Sequence, residues 1–484
     1  MSRNHLSGAL VLTFGNAVKM LVQFALVPIL ARMLGPEAYG LAALVMPFIL
    51  FVNLFADAGL EKAVARSDQS DGAFVSTAFW LSGLLGLGLC LIMAALAGVV
   101  LWRDPATAIA PVMLGLLPVL AMSALCAVPN GLVIRSSRLK TFAAADIVST
   151  LVSGVVAIVL AMNHFGVWAL VWQQNVLWFL RLTIISCFSG LRPKFVFELR
   201  SVSPHLIFAI STLGIGVVEF LARSFDNVLI GWTIGPAALG VYAMGYQLIR
   251  APELLVAGPV YASLFSAFVS NADDPIALAK AYKTAMRAVV QICTPLLAGL
   301  ALVADLALPP ILGAKWAVTI PVVQWLAITG LVLCVWTVIG ALLVGIGRPQ
   351  IQLRSSLWMA ATTILGISIG ATTRSPVVVA AAVSIAMCIA IGPMLKRAAE
   401  VTRTRVVDLF WALRGPIFGA ATMAAVTFAL RPNLGGLHDL TQLGVLMLAN
   451  ASAYLLVLWA ANPEAASEDL RSVNDLLRRR PALA

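Results

Sequence analysis

The feature that most constrains this chain is the recurrence of apolar stretches along nearly its whole length. Each is about 20 residues long, which is enough for a helix to cross ~30 Å of hydrocarbon. Only 11% of the residues are charged and 61% are hydrophobic, whereas roughly a quarter of a soluble domain is charged. The stretches are continuous rather than alternating, which excludes a transmembrane β-barrel. The sequence therefore predicts an all-α polytopic membrane protein.

We place about 14 transmembrane helices in the chain from the length that a bilayer demands. The loops between these spans are short and leave no room for a soluble catalytic domain, so we expect a protein that is not an enzyme. The predicted spans are 8–32, 38–56, 74–101, 107–130, 141–162, 166–188, 206–232, 237–255, 284–309, 318–346, 352–371, 376–395, 411–430 and 440–461.

One phrase occurs twice in ungapped register, as LGPEAYGL at 34–41 and IGPAALGV at 234–241. Each copy follows one predicted span and opens the next, and its Gly-Pro pair, which lies between the two spans, is typical of a turn. An even number of spans separates the copies, so the two halves have the same orientation and are pseudo-symmetric about the membrane normal. This predicts an N-terminal six-helix lobe, a C-terminal six-helix lobe, two extra transmembrane helices and a cytoplasmic tail, at 1–200, 201–400, 401–461 and 462–484.

The 32 lysines and arginines are distributed unevenly between the predicted loops. With the N-terminus in the cytoplasm, the outer side holds only Arg32, Arg103, Lys315, Arg374 and Arg431. Because cytoplasmic loops carry the excess of basic residues, both termini are predicted to be cytoplasmic. This asymmetry and attraction to anionic headgroups account for the net charge of +11, so no nucleic-acid partner is predicted.

The six cysteines occur singly in apolar windows, and the four histidines are far apart. No CxxC pair or disulfide framework is present. We therefore predict no metal site and no cofactor.

Several short motifs resemble those of one bacterial transporter family. They lie at 30–41, 54–60, 78–80, 226–231, 235–242, 246–248 and 313–316. On these motifs the chain resembles the Wzx-like oligosaccharide flippases, polysaccharide transporters of the multidrug/oligosaccharidyl-lipid/polysaccharide superfamily, nearest their colanic-acid-exporter-like branch.

The resemblance covers most of the first twelve spans. It implies that undecaprenyl-pyrophosphate-linked repeat units cross the bacterial inner membrane by alternating access of two lobes, for export of exopolysaccharide, capsule or O-antigen. It also implies lipid-linked oligosaccharide and membrane lipids as binding partners, and a polymerase and a chain-length regulator as protein partners.

Charges inside the predicted spans are candidates for substrate binding, because a central charge costs at least ~2.5–3.5 kcal/mol on the gentlest insertion scale. In span one, Asn16, Lys19 and Gln23 share one helix face. Lys19 lies ~16 Å from the start of the span at 1.5 Å per residue. These interruptions also favour a retained first helix over a cleaved signal peptide. We interpret Lys19 as a cavity cation for the pyrophosphate; the alternative is a structural lysine paired with a buried carboxylate.

Span seven carries Glu219, Arg223 and Asp226 on one face. The repeat sets Glu219 against Lys19 and Arg223 against Gln23. Our hypothesis is that Lys19 and Glu219 pair in one state and separate in another. Arg223 is then a substrate-binding candidate, and Glu219 and Asp226 are gating or ion-coupling candidates. The alternative is a network within the helix that neutralises itself.

Span six adds Gln174, Trp178 and Arg181, which share a face. Arginine binds phosphate bidentately and aromatic rings stack on sugars, so these residues are further substrate-binding candidates. Ordinary interface anchoring is the alternative for the tryptophan.

Asp57 and Asp305, each at the end of a span, are candidates for ion coupling, and a solvated helix end is the alternative.

Two other functions share this topology, a cation-coupled multidrug exporter and a peptidoglycan-precursor flippase. The cations Lys19, Arg181 and Arg223 favour an anionic substrate over a cationic drug. A polymerase or ligase of the same pathway would need a long outer loop, which the predicted spans do not leave.

Overall fold

The computed structural model describes residues 3–55, 61, 64, 72–105, 107–136, 138–198 and 226–461, and these residues form helices joined by short connections. The helices are α1 (Arg3–Leu34), α2 (Pro36–Phe55), α3 (Gly72–Arg103), α4 (Ile109–Gly115), α5 (Leu117–Arg135), α6 (Leu139–Met162), α7 (Val167–Ser189), α8 (Pro236–Ser270), α9 (Pro275–Leu312), α10 (Thr319–Gly345), α11 (Pro349–Ala371), α12 (Pro376–Val401), α13 (Val406–Ala412), α14 (Arg414–Leu434) and α15 (Asp439–Ala461). Most predicted spans match one of these helices to within a few residues. The predicted span 206–232 lies largely outside the described residues, as does the predicted tail.

Seven helical segments of the described chain are long and apolar enough to cross a membrane, judged by length and composition. They are Gly72–Arg103, Ile109–Arg135, Lys140–Met162, Pro275–Leu312, Thr319–Gly345, Pro376–Val401 and Asp439–Ala460. The chain is therefore a multi-pass α-helical membrane protein.

Several helix boundaries differ from the predicted spans; helix α9, for example, begins at Pro275 rather than near 284. The span predicted at 107–130 is interrupted at Leu116, where α4 ends and α5 begins with Pro118 in its first turn. Proline has no N–H to continue a helical ladder, which explains the break. Helix α8 continues to Ser270 rather than ending near 255. Its extension is anchored by the buried Phe268, which lies against Gly345 of α10.

The chain divides into two compact units, Met1–Gly240 and Val241–Ala484. The lobe boundary predicted near residue 200 falls in 199–225, which is outside the described residues. Each unit is described on its own.

In the first unit, both Gly-Pro pairs form the turns predicted for them. Gly35 and Gly235 have φ values of 80° and 116°, a left-handed backbone that glycine adopts without steric cost. The following residues, Pro36 and Pro236, are the first residues of α2 and α8. Proline suits this position because the first N–H of a helix has no partner within the helix.

The same phrase contains a second glycine, and these glycines meet within the first unit. A Cβ atom at Gly40 would collide with the carbonyl of Pro236, and one at Gly240 would collide with the carbonyl of Pro36. Each added Cβ would also lie 2.9 Å from the backbone nitrogen of the other glycine. The two copies therefore touch backbone to backbone, which only residues without a side chain permit.

Helices α1 and α6 pack closely and run parallel in this unit. A Cβ at Gly15 would lie 2.8 Å from that of Ala143, and a Cβ at Gly154 would lie 2.5 Å from Leu26. The contacts advance in the same direction along both helices and in constant register. This register brings the middle of α1 opposite the first half of α6.

Helix α3 is hydrogen-bonded to the segment that follows α7. The Trp80 indole donates a hydrogen bond to the carbonyl of Lys194 (2.9 Å), and its ring stacks on Phe195 at 5.1 Å between centroids. The hydroxyls of Ser76 and Thr77 accept from the amides of Lys194 and Glu198. Trp80, one of the family-like motif residues, thus fixes the segment that leaves the last helix of the N-terminal predicted lobe.

In the second unit, α14 and α15 form a hairpin that packs on α9. The Tyr454 hydroxyl of α15 donates to the Gln291 carbonyl at 2.8 Å, and Arg431 of α14 forms an ion pair with Asp305. Within the hairpin, Thr427 and Asn450 exchange buried hydrogen bonds of 3.1 and 2.9 Å. Asp305, predicted as an ion-coupling candidate, is therefore a partner of Arg431.

Candidate functional site

Three charged side chains from three helices meet inside the first unit. The Lys19 ammonium of α1 lies 3.1 Å from Oδ2 of Asp146 on α6. The Arg181 guanidinium of α7 lies 3.1 Å from Oδ1 of the same carboxylate. We call Lys19, Asp146 and Arg181 the ion triad. It contains two cations and one carboxylate, so it has one net positive charge.

The three members of the ion triad differ in exposure. The side chains of Asp146, Arg181 and Lys19 are 9%, 14% and 29% exposed. The carboxylate is thus covered, while the ammonium is its most accessible partner. An uncompensated charge in such a place is costly, which makes an anionic ligand favourable there.

The hydrogen bonding of the triad is incomplete. Within the part of the chain that the structure describes, Asp146 Oδ1 is buried without a hydrogen-bond partner, although Arg181 lies 3.1 Å away, so this contact is a charge attraction without an aligned N–H. Arg181 Nε is likewise buried without a partner among these residues. Buried polar groups are usually paired, so these two atoms have hydrogen-bonding capacity that the described residues do not use.

Two aromatic rings hold the guanidinium of Arg181. Its central carbon lies 5.2 Å from the Phe142 ring centroid and 5.4 Å from that of Trp178. Cation–π attraction orients the group and replaces part of its lost hydration. Both rings pack on a core cluster that includes Cys126 and Ile185, so the arginine is supported by packed core side chains.

Helix α6 presents further hydroxyl groups near the triad. Thr150 donates to the Asp146 carbonyl at 2.7 Å, and Ser153 donates to the Thr150 carbonyl at 3.1 Å. The Ser149 hydroxyl, one turn after Asp146, is buried and has no hydrogen-bond partner among the described residues.

A second buried polar contact lies on α5. Asn130, which is 4% exposed, donates to the Glu61 carboxylate at 3.2 Å. The neighbouring Gly131 has room for no Cβ, because that atom would lie 2.7 Å from the Glu61 carbonyl. These contacts hold Glu61 against α5.

The structure brings only part of the predicted site together. Lys19, Trp178 and Arg181 are close to one another around Asp146, while Gln174 is half-buried on α7 and Gln23 is exposed on α1. The Asp226 carboxylate accepts a hydrogen bond from the Asn227 amide at 2.8 Å. Asp57, Glu219, Arg223 and the side chain of Asn16 lie outside the description. The hypothesis of a Lys19–Glu219 pair therefore stays a prediction, and in this structure Lys19 contacts Asp146.

Sequence reasoning missed Asp146 and Glu61. The signal for Asp146 was present, because it is a carboxylate within a predicted span and the rule that selected Lys19 applies to it equally. Among the described residues, no group of three or more His, Cys, Asp and Glu is arranged to hold a metal ion.

Comparison with known proteins places this geometry in context. The family described as "Polysaccharide biosynthesis protein" matches residues 29–321. The chain is 26% identical over 362 residues to the succinoglycan biosynthesis transport protein ExoT of Rhizobium meliloti, covering 73% of this chain and 72% of that protein. It is also 26% identical over 284 residues to the teichuronic acid biosynthesis protein TuaB of Bacillus subtilis, covering 58% of each.

The fold is also similar to a solved structure, that of the lipid II flippase MurJ in an inward closed conformation. The TM-score is 0.72 at 13% identity, over 95% of this chain and 100% of the other. This similarity shows the fold.

Proposed function

The chain belongs to the polysaccharide biosynthesis protein family, and we propose that it is a flippase for undecaprenyl-pyrophosphate-linked oligosaccharide repeat units. It moves them across the bacterial inner membrane for export of exopolysaccharide, capsule or O-antigen. The transport role named for ExoT supports the proposal. A flippase is a transporter that makes and breaks no covalent bond in its cargo.

The observation that carries the proposal is the ion triad in the interior of the first unit. The pyrophosphate group must leave water during transport, and a flippase has to replace that hydration with charge and hydrogen bonds. Lys19 and Arg181 supply two cations, and Arg181 adds a planar donor fork that suits phosphate. Trp178 and Gln174 lie on the same helix and extend this surface towards the sugar.

The proposal includes an arrangement in the membrane. Fourteen spans form two six-helix lobes and two extra helices, with both termini in the cytoplasm. The basic segments between helices that contain Arg138 and Lys194 support this orientation, because cytoplasmic segments carry the excess of positive charge. Alternating access of the lobes then exposes the triad to one leaflet at a time.

The experiment that tests the function is deletion of the gene with analysis of the lipid-linked repeat units. We expect these units to accumulate in the inner leaflet and the exported polymer to disappear. Wild-type protein should restore export, and so should Arg397→Gln, which breaks only a surface ion pair with Glu400. Normal polymer and no accumulation would refute the proposal. Loss of peptidoglycan synthesis, or efflux of cationic dyes without an effect on the polymer, would favour one of the other two transporters.

A further inference from the structure

We infer that Asp146 is a stand-in for the anionic group of the substrate. Its carboxylate holds Lys19 and Arg181 together, and during transport it gives them up to the incoming pyrophosphate. Asp146 is thus a positioning residue that sets both the affinity for the anion and its release. This inference rests on the proposed function and adds a role for a residue that faces the same site.

The geometry of the triad supports an exchangeable anion. The two cations come from different helices, and each is bound by one oxygen of the same carboxylate. Since these oxygens share one carbon atom, both cations point to one small region. A single phosphoryl group, which also has oxygens on one central atom, is able to occupy that region.

The unpaired groups around Asp146 support the same conclusion. Among the described residues, Arg181 Nε and the Ser149 hydroxyl are buried donors without a partner. Asp146 Oδ1 is unpaired as well, so the carboxylate is not aligned with the donors around it, whereas a phosphoryl group has more acceptors and accepts charge-assisted hydrogen bonds well. The two cations are therefore better matched to a phosphoryl group than to the carboxylate that they contact.

Exposure predicts the order of the exchange. Lys19 is the most exposed member of the triad, so it can turn to an arriving anion first. Arg181 is held between Phe142 and Trp178 and remains in place as the fixed half of the site. The Asp146 carboxylate then returns to Lys19 as the anion leaves, which lowers the charge that would otherwise retain the cargo.

The test is the variant Asp146→Asn, which keeps the shape and removes the charge. Full-length protein in detergent is titrated with inorganic pyrophosphate at low salt, and binding and the melting temperature are both measured. Two unopposed cations attract the anion more strongly, so we expect about tenfold tighter binding than in the wild type. The variant should melt lower without pyrophosphate, because its cations are unpaired, and should recover when pyrophosphate is added.

Two variants control for charge and for folding. In Lys19→Gln/Asp146→Asn the site again has one net positive charge, so the affinity should return to near that of the wild type. Asp408→Asn removes a carboxylate that pairs with Lys283 at 3.5 Å on the surface, and pyrophosphate should affect it as it affects the wild type.

Equal or weaker binding by Asp146→Asn, or a low melting temperature that pyrophosphate does not raise, would show that Asp146 is only structural. Absence of pyrophosphate binding in every variant would also overturn the inference. These results are independent of the proposed function, which depends on the lipid-linked pool after deletion. If deletion leaves the pool of lipid-linked repeat units normal while Asp146→Asn binds pyrophosphate more tightly, the proposed cargo is refuted and the anion site is supported.

Discussion

The two cations of the ion triad are held in different ways. Among the described residues, Arg181 contacts a carboxylate and two aromatic rings, whereas Lys19 forms an ion pair with the same carboxylate. Arginine and lysine differ in this respect, because the planar guanidinium stacks on rings and binds phosphate through two donors while the ammonium acts as a point charge. We therefore expect Arg181 and Lys19 to differ in the substitutions that they tolerate.

We predict that Arg181→Lys lowers polymer export about tenfold or more, since lysine loses the ring contacts and the donor fork. Lys19→Arg should retain most export, because the position requires only a positive charge. The measurement is polymer secreted by a deletion strain that produces each variant at equal membrane level. Arg397→Lys, on the exposed surface, is the matched control. Equal export by Arg181→Lys and the wild type would contradict the assigned role.

Single residues were predictable where one helix contained the whole pattern. Lys19 and Arg181 were identified because a charge within an apolar span is unusual. Their common partner was not, because Asp146 is separated from Lys19 by 127 positions in the sequence. Only the register of α1 against α6, set by Gly15 and Gly154 in three dimensions, brings the two side chains together.

The close contact between the repeated glycines is a property of helices α2 and α8. Gly40 leaves no space for a methyl group, since its Cβ would collide with the Pro236 carbonyl. Gly88 of α3 has nothing within 4 Å of an added Cβ. These two helical glycines therefore form a matched pair for substitution.

Gly40→Ala should destabilise the protein by about 1–3 kcal/mol, the usual cost of overpacking. Gly88→Ala should be neutral or stabilise it by up to about 1 kcal/mol, because alanine is the better helix former. Thermal unfolding of both variants in detergent tests the prediction. A Gly40→Ala protein that melts with or above Gly88→Ala would show that the backbone contact does not form.

The α14–α15 hairpin depends on a buried pair of polar side chains. Asn450→Ala leaves the Thr427 hydroxyl buried without its partner, which costs about 1–3 kcal/mol. Asn433→Ala removes an amide on an exposed part of α14 and should change stability little. Melting temperatures provide the comparison, and equal values for the two variants would rule out a stabilising role for the pair.

Helix positions were predictable because the bilayer sets the length of an apolar span. The break between α4 and α5 had a local signal in Pro118, which the hydropathy pattern obscured. The extension of α8 had none, because it depends on Phe268 packing against α10. Tertiary contacts therefore determine the helix ends that the hydropathy pattern does not define.

At the scale of the whole molecule, the charge is arranged in two ways. Most of the 32 basic residues lie in the predicted cytoplasmic segments, where such residues favour the proposed orientation. Lys19 and Arg181 instead lie within the first unit around one carboxylate. The first arrangement is common to membrane proteins, whereas the second is the one that the proposed flippase would use to bind an anion.

The most direct test of the account is transport of an undecaprenyl-pyrophosphate-linked repeat unit by purified protein in sealed vesicles. An impermeant reagent reports the cargo that has reached the outer leaflet. The account predicts that the wild type and Arg397→Gln move the cargo, while Lys19→Gln/Arg181→Gln, incorporated to the same level, moves it at the rate of empty vesicles. Transport by the double variant at the wild-type rate would contradict the account.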